Sequence, residues 1–163
     1  MKPINGFTFG TFDSKNFDLE IERELTFTSP DNDVQLIEID GVDGDLAVSR
    51  KRFKGTDFSF PCRLRLDASK SVEAQAQAIS NGLKTQEGWK LLNFSGMPNT
   101  SYVAMFTDSY DVERTTKLFG KAVLKFRLKP YAYLRTGLVA KTTTAAATAI
   151  KGTNLGSRPS KPI

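Results

Sequence analysis

The strongest constraint on this chain is a period of two in its apolar residues. Phe7 and Phe9 flank Thr8, and Leu19, Ile21 and Leu25, with Arg23 between, alternate with Glu20, Glu22 and Glu24. Phe58, Phe60, Cys62, Leu64 and Leu66 alternate with Ser59, Pro61, Arg63, Arg65 and Asp67. Leu118, Ala122, Leu124, Phe126 and Leu128 alternate with Lys117, Lys121, Val123, Lys125, Arg127 and Lys129. Successive side chains of a strand point to opposite faces, so each run predicts a half-buried strand. Aromatic residues reinforce the first and third runs. Pro61 predicts an edge or a bulge, because proline cannot donate to a strand ladder. Trp89–Phe94 and Tyr102–Phe106 predict two further short strands around a Ser95-Gly96-Met97-Pro98-Asn99 turn.

One segment has the other period. Val72, Ala76, Ile79 and Leu83 form an apolar stripe at helical spacing, predicting a helix over Val72–Gln86. Ser71 can cap it, Glu73 suits its dipole, and Gly88 is placed to stop it. Gly82 weakens it by about 1 kcal/mol relative to alanine, which predicts a frayed last turn. A length of 163 residues suits about one domain of ~100–200 residues. The predicted fold is mainly β, a β-sandwich or a barrel with one packed α-helix across one side. Lys141–Ile163 is rich in Thr, Ala, Gly, Ser and Lys without an aromatic residue; it would not sustain a core alone, and a linker or an added extended strand are both open.

Asp33–Gly55 departs from the pattern. Val34-Gln35-Leu36-Ile37-Glu38-Ile39 is a strand partly apolar on both faces. Gly41-Val42-Asp43-Gly44-Asp45 is a turn, Leu46–Ser49 returns, and Arg50-Lys51-Arg52-Phe53-Lys54-Gly55 closes the element with cations. A hairpin apolar on both faces needs cover on both sides. Either it lies deep in a sandwich, or it is an arm that docks on another protein.

Histidine is absent, which removes Ser-His-Asp triads, Cys-His dyads, histidine-metal sites and imidazole acid–base chemistry. Cys62 is the sole cysteine, so no intramolecular disulfide forms, and its place on an apolar strand face makes it a small core residue. No apolar run approaches the ~18–20 residues of a membrane span, and Met1-Lys2-Pro3-Ile4-Asn5 opens no signal segment. Asp40, Asp43 and Asp45 fail the spacing of a calcium-binding EF-hand loop and fit a turn. Trp89 is read as core, and no cofactor or metal site is expected.

Charge is unevenly placed. All 18 acids lie at or before Glu113, whereas 11 of the 23 Lys and Arg follow it. The ladder Lys121, Lys125, Arg127, Lys129 (with Lys117) is either a solvated strand face or a contact for phosphate or an acidic protein surface. Glu20, Glu22 and Glu24 complement it: in one sheet the effect is local, while at opposite ends of a domain the two ladders can join copies head to tail. A small basic β-domain binding nucleic acid without sequence preference is the competing function.

In order along the chain, several pieces resemble one family. They are Phe7-Thr8-Phe9, the run from Val34 through Asp40-Gly41-Val42-Asp43-Gly44-Asp45-Leu46, and Phe60-Pro61-Cys62. Trp89-Lys90-Leu91-Leu92, Met97-Pro98 with Tyr102-Val103-Ala104, and Phe126-Arg127-Leu128-Lys129-Pro130-Tyr131 follow. Over about residues 4–135 the chain resembles the distal tail proteins (Dit) of siphophages, the long-tailed, non-contractile phages. The family's helix often ends in Trp-Leu, where this chain has Gly82-Leu83.

The resemblance implies a structural protein without catalysis, with 1–137 as a ring-forming domain and an extended β-hairpin arm at about 33–55. Members form a hexameric ring at the virion tail tip. The ring joins the tail tube protein to the tail-associated lysin or tail fibre and to receptor-binding proteins. Assembly in the bacterial host cytoplasm, DNA only in transit through the lumen, and no membrane partner go with it. Candidate subunit-interface residues are Leu36, Ile37, Ile39, Gly41, Gly44 and Phe53 of the arm, with Glu20, Glu22, Glu24, Lys125 and Arg127. Asn154-Leu155-Gly156, Pro159 and Pro162-Ile163 resemble the entry to the family's second, galectin-like domain. Residues 138–163 are therefore expected to be a linker or the start of that domain, and the chain a fragment or a form lacking it.

Overall fold

A computed structural model describes residues 6–22, 25–66, 71–107, 112–114 and 119–138. Arg23, Glu24, Asp67, Lys117, Leu118 and the segment after residue 138, on which several expectations fall, lie outside the described residues. The first half holds β1 (Phe7–Phe9), β2 (Phe12–Asp13), a 3-10 turn (Ser14–Phe17), β3 (Leu19–Ile21), β4 (Asn32–Glu38), β5 (Asp45–Phe53) and β6 (Thr56–Arg65). The second holds α1 (Val72–Lys84), β7 (Lys90–Phe94), β8 (Thr100–Met105), β9 (Val112–Arg114) and β10 (Phe119–Leu134), then a 3-10 turn at Arg135–Leu138.

The spine is β6 against β10, antiparallel from Thr56↔Leu128 to Arg65↔Phe119. In both, the apolar alternation is the burial alternation: Phe58, Phe60, Cys62 and Leu64 point in, as do Ala122, Leu124, Phe126 and Leu128. An antiparallel sheet grows outward from this pair in the order β2-β1-β7-β8-β10-β6-β3, with β9 also on β10. Although β1 and β6 are far apart in that order, the Phe7 and Phe60 rings meet edge to face at 5.3 Å, and Phe9 meets Phe126 at 5.2 Å. The sheet therefore curls until its halves face each other, the two layers of the expected sandwich being one hydrogen-bonded sheet. Its edge strands β2 and β3 are joined through only the Ser14–Phe17 turn, so the sheet comes close to closing on itself.

The helix packs at that seam. The Ser71 hydroxyl accepts the Ala74 amide at 3.1 Å as the expected cap, and Ile79 and Leu83 are buried. Two details differ from expectation. The helix ends at Lys84 with Thr85 as its cap, four residues short of Gly88, and Gln86 turns away to bond both the amide and the hydroxyl of Thr11. The helix runs through Gly82 to its end at Lys84. A Cβ there would lie 2.8 Å from the Phe12 ring, which stacks on Phe17 at 4.7 Å, so glycine is what lets the helix reach these rings.

Pro61 also needs correction, because β6 is interior. It pairs with β10 on one side and β3 on the other. The Glu22 amide donates to the Pro61 carbonyl at 3.0 Å, and N and C=O of one strand residue point the same way. The missing donor thus faces β3 just past its last paired residue, Ile21, where that side of β6 opens. The expected strand from Leu19 to Leu25 is accordingly short. Trp89 is not core: it is 43% exposed, immediately before β7.

Candidate assembly interface

The segment with two apolar faces leaves the body. Among the described residues β4 and β5 pair only with each other, as a two-stranded antiparallel sheet apart from the curled one. Direct partners share a face, so Val34, Leu36 and Ala47 lie on one side with Ser49, and Ile37, Leu46 and Val48 lie on the other with Gln35. Neither side is covered: Leu36 is 63% exposed, Val42 61% and Leu46 52%. A solvated hairpin ordinarily hides one apolar face, and this one presents two. The hairpin therefore projects from the body as an arm and does not lie deep in a sandwich. Gly41 and Gly44 turn the tip with φ of +81° and +89°, in the region that glycine enters freely.

The cations of Arg50–Lys54 have a definite role at the root. Two extra β5 residues fall between the pairs Asn32↔Phe53 and Val34↔Ser49, opposite Asp33, with Lys51 at φ +52°. This bulge folds Arg52 onto the buried Asp33 carboxylate at 2.5 Å, with Arg50 and Lys54 each 4.0 Å away. The Arg52 hydrogen bond lowers the Asp33 pKa, and the charges of Arg52, Arg50 and Lys54 act the same way against partial desolvation. The Lys54 amide donates to the Asp31 carbonyl at 2.9 Å, closing the base. Phe53 meets Tyr131 edge to face at 6.1 Å. Tyr131 belongs to an irregularity in β10, where Lys129-Pro130-Tyr131 faces the single residue Val103 between the Leu128↔Ala104 and Ala132↔Tyr102 pairs. The arm thus springs from one defined place on the sheet.

The eleven candidate residues separate into groups. Leu36, Ile37, Ile39, Gly41, Gly44 and Phe53 come together on the arm. Glu20, on the edge strand β3, and Glu22, just past it, pair within the sheet, with Arg63 at 2.9 Å and Lys121 at 3.0 Å. Arg127 bonds Asp57 directly across the strand pair at 2.7 Å. Of the two consequences set out for the charge ladders, the local one is therefore realised for these pairs. Lys125 has no ion-pair partner among the described residues, and Glu24 lies outside them. Val34, Val42, Leu46 and Val48 belong with the candidates by exposure, and the same apolar pattern marks them. Asp33 was not legible, since its three partners depend on the bulge. Cys62 is fully buried, and desolvation raises its pKa.

No protein-family model matches the sequence, and no curated protein matches it. Among solved structures the chain is similar to the crystal structure of Dit (gp 19.1) of phage SPP1, with a TM-score of 0.66 at 13% identity. That likeness covers 81% of this chain and 53% of SPP1 Dit, so the chain spans about half the length of the protein it resembles. SPP1 Dit is described as a paradigm of the hub adsorption apparatus in phages that infect Gram-positive bacteria. At this identity the likeness establishes the fold, and the fold is the one that the family resemblance implies.

Proposed function

We propose that this chain is the ring-forming part of a phage tail-tip hub, a structural protein that acts through contacts between copies. The observation that carries the reading is a projecting hairpin, apolar on both faces, rooted on the fold shared with SPP1 Dit. Such an arm is stable in water only at the cost of exposed apolar surface, which a neighbouring copy would cover. In this reading six copies close head to tail, because a heterologous contact whose rotation closes gives a ring. The ring joins the tail tube to a lysin or fibre and to receptor-binding proteins at the virion tail tip, and DNA passes through its lumen. Residues 1–137 form the ring, and 138–163 lead toward a second, galectin-like domain. Leu36, Ile37, Ile39, Gly41, Gly44 and Phe53 are its arm contacts. Glu20, Glu22, Glu24, Lys125 and Arg127 supply charge around the body.

The competing nucleic-acid reading draws less support, since Lys121 and Arg127 already face carboxylates. Light scattering coupled to size exclusion, with negative-stain imaging, tests the proposal. A six-fold annulus is the expected result, and a strictly monomeric species at high concentration overturns it.

A further inference from the structure

We infer that the acidic outer half of the arm docks on the outer sheet face of a second copy, at a patch formed by Trp89, Leu91, Lys125 and Lys129. This rests on the assembly reading above and adds the receiving surface to it. From Val34 to Ser49 the arm carries Glu38, Asp40, Asp43 and Asp45 and no base, among exposed Leu36, Ile37, Ile39, Val42 and Leu46. Its partner surface must offer apolar area and cations together.

Among the described residues, the outer face of β7 and β10 offers both. Leu91 is 39% exposed and pairs with Val103, on the side away from buried Leu92 and Phe94. Trp89 lies two residues before it, with the Lys129 ammonium over its ring at 5.2 Å. On β10, Lys121 and Arg127 are neutralised by Glu22 and Asp57, whereas Lys125 and Lys129 have no carboxylate partner among the described residues. Lys125 and Lys129 lie four residues, about 13 Å, apart along β10, so separate carboxylates of the arm meet them, and matched charge of this kind fixes register as well as attraction.

Geometry assigns the patch to another copy. Tyr131, against which the arm is rooted, is two residues from Lys129. The seven residues of β4, at about 3.3 Å each, hold the tip of the same arm roughly 23 Å away. A stiff ribbon rooted beside the patch does not bring its own tip back onto it. The same reach is a large part of the ~35 Å width of a domain this size, enough to span onto an adjoining copy. Each copy then gives a tip and receives one, a heterologous contact that repeats.

Complementary charge reversal in the full chain tests this. E38K/D40K and K125E/K129E, each shown folded by circular dichroism, are expected to assemble at least about tenfold more weakly than wild type at low salt. An equal mixture is expected to recover assembly, because alternating copies restore opposite charge at every contact. As a second measurement, V42C mixed with L91C should give an intermolecular disulfide on a non-reducing gel, and V42C mixed with E73C should not. Assembly unchanged in both charge variants, no recovery on mixing, or no V42C–L91C bond overturns the inference. K125E/K129E that assembles normally but loses binding to a short DNA duplex assigns the patch to a polyanion, and also overturns it. If removing 33–53 abolishes assembly in these cases, only the receiving face is wrong. If that removal leaves assembly intact, the assembly reading itself is wrong.

Discussion

Gly82 sets two opposing effects at one residue. Alanine would gain about 1 kcal/mol of helix propensity. Its Cβ, however, would press on the Phe12 ring at 2.8 Å and on Phe17 at 3.3 Å, an overpacking that costs about 1–3 kcal/mol. Gly82→Ala is therefore expected to lower the melting temperature, against the propensity rule; a rise in a thermal scan would show that the rings yield. Asp33 is decided by charge. Its folded pKa lies below the ordinary value, so its stabilising contribution at the arm root is complete above about pH 4 and is lost as pH falls through the folded value. NMR titration of the carboxyl should give a midpoint below about 3.9. Asp33→Asn should speed tryptic cleavage within Arg50–Lys54 at neutral pH. Cys62, fully buried with a raised pKa, should resist thiol reagents until the protein is denatured.

Among the elements, the arm and the helix contribute in opposite ways. Of the residues from Asn32 to Phe53, only Asp33 is buried and only Asp33 and Phe53 are other than exposed, so the arm adds little to the curled sheet's core. Replacing 33–53 by a short Gly-rich turn should leave the circular dichroism of the body and its cooperative melt in place while abolishing assembly. A body that unfolds on this deletion would mean that the arm is part of the core. The helix, by contrast, buries Ile79 and Leu83 and brings Gly82 against Phe12 of β2 and Phe17 of the turn that joins β2 to β3. Ser71→Ala, which removes its cap, should cost about 1 kcal/mol in denaturant unfolding without affecting the arm.

For the whole molecule, the aromatic core holds the two halves of one sheet together. Phe126 meets Phe9 at 5.2 Å, Phe60 at 5.6 Å and Phe106 at 5.2 Å, drawing on strands from across the sheet order. Phe126→Ala should cost about 3–5 kcal/mol, a large part of the ~5–15 kcal/mol that a domain possesses. Chemical denaturation of the variant measures it, and a loss under 1 kcal/mol, on the order of a surface change, would place the core elsewhere. Much of this plan was legible, because an alternating run announces its buried face before any partner is known. Phe58–Leu64 and Ala122–Leu128 are such runs. Trp89 and Pro61 were misread for the same reason as each other: residue type alone does not reveal what the next strand covers. Trp89 stands just outside β7, and the Pro61 nitrogen faces the end of β3.

What the sequence determined by itself was therefore local and periodic: the inward-facing residues, the Ser71 cap, and a hairpin with no single apolar side. These follow from the backbone's own repeat, which each segment carries wherever it goes. The tertiary structure alone decided that the two layers are one curled sheet, that Gly82 is a packing requirement, and that Glu22 meets Lys121 within it. It also decided that the two-faced hairpin stands clear of the body, rooted by a bulge around Asp33. Those outcomes depend on which distant segments become neighbours, and strand pairing joins residues whose separation along the chain leaves no trace in either segment's own pattern.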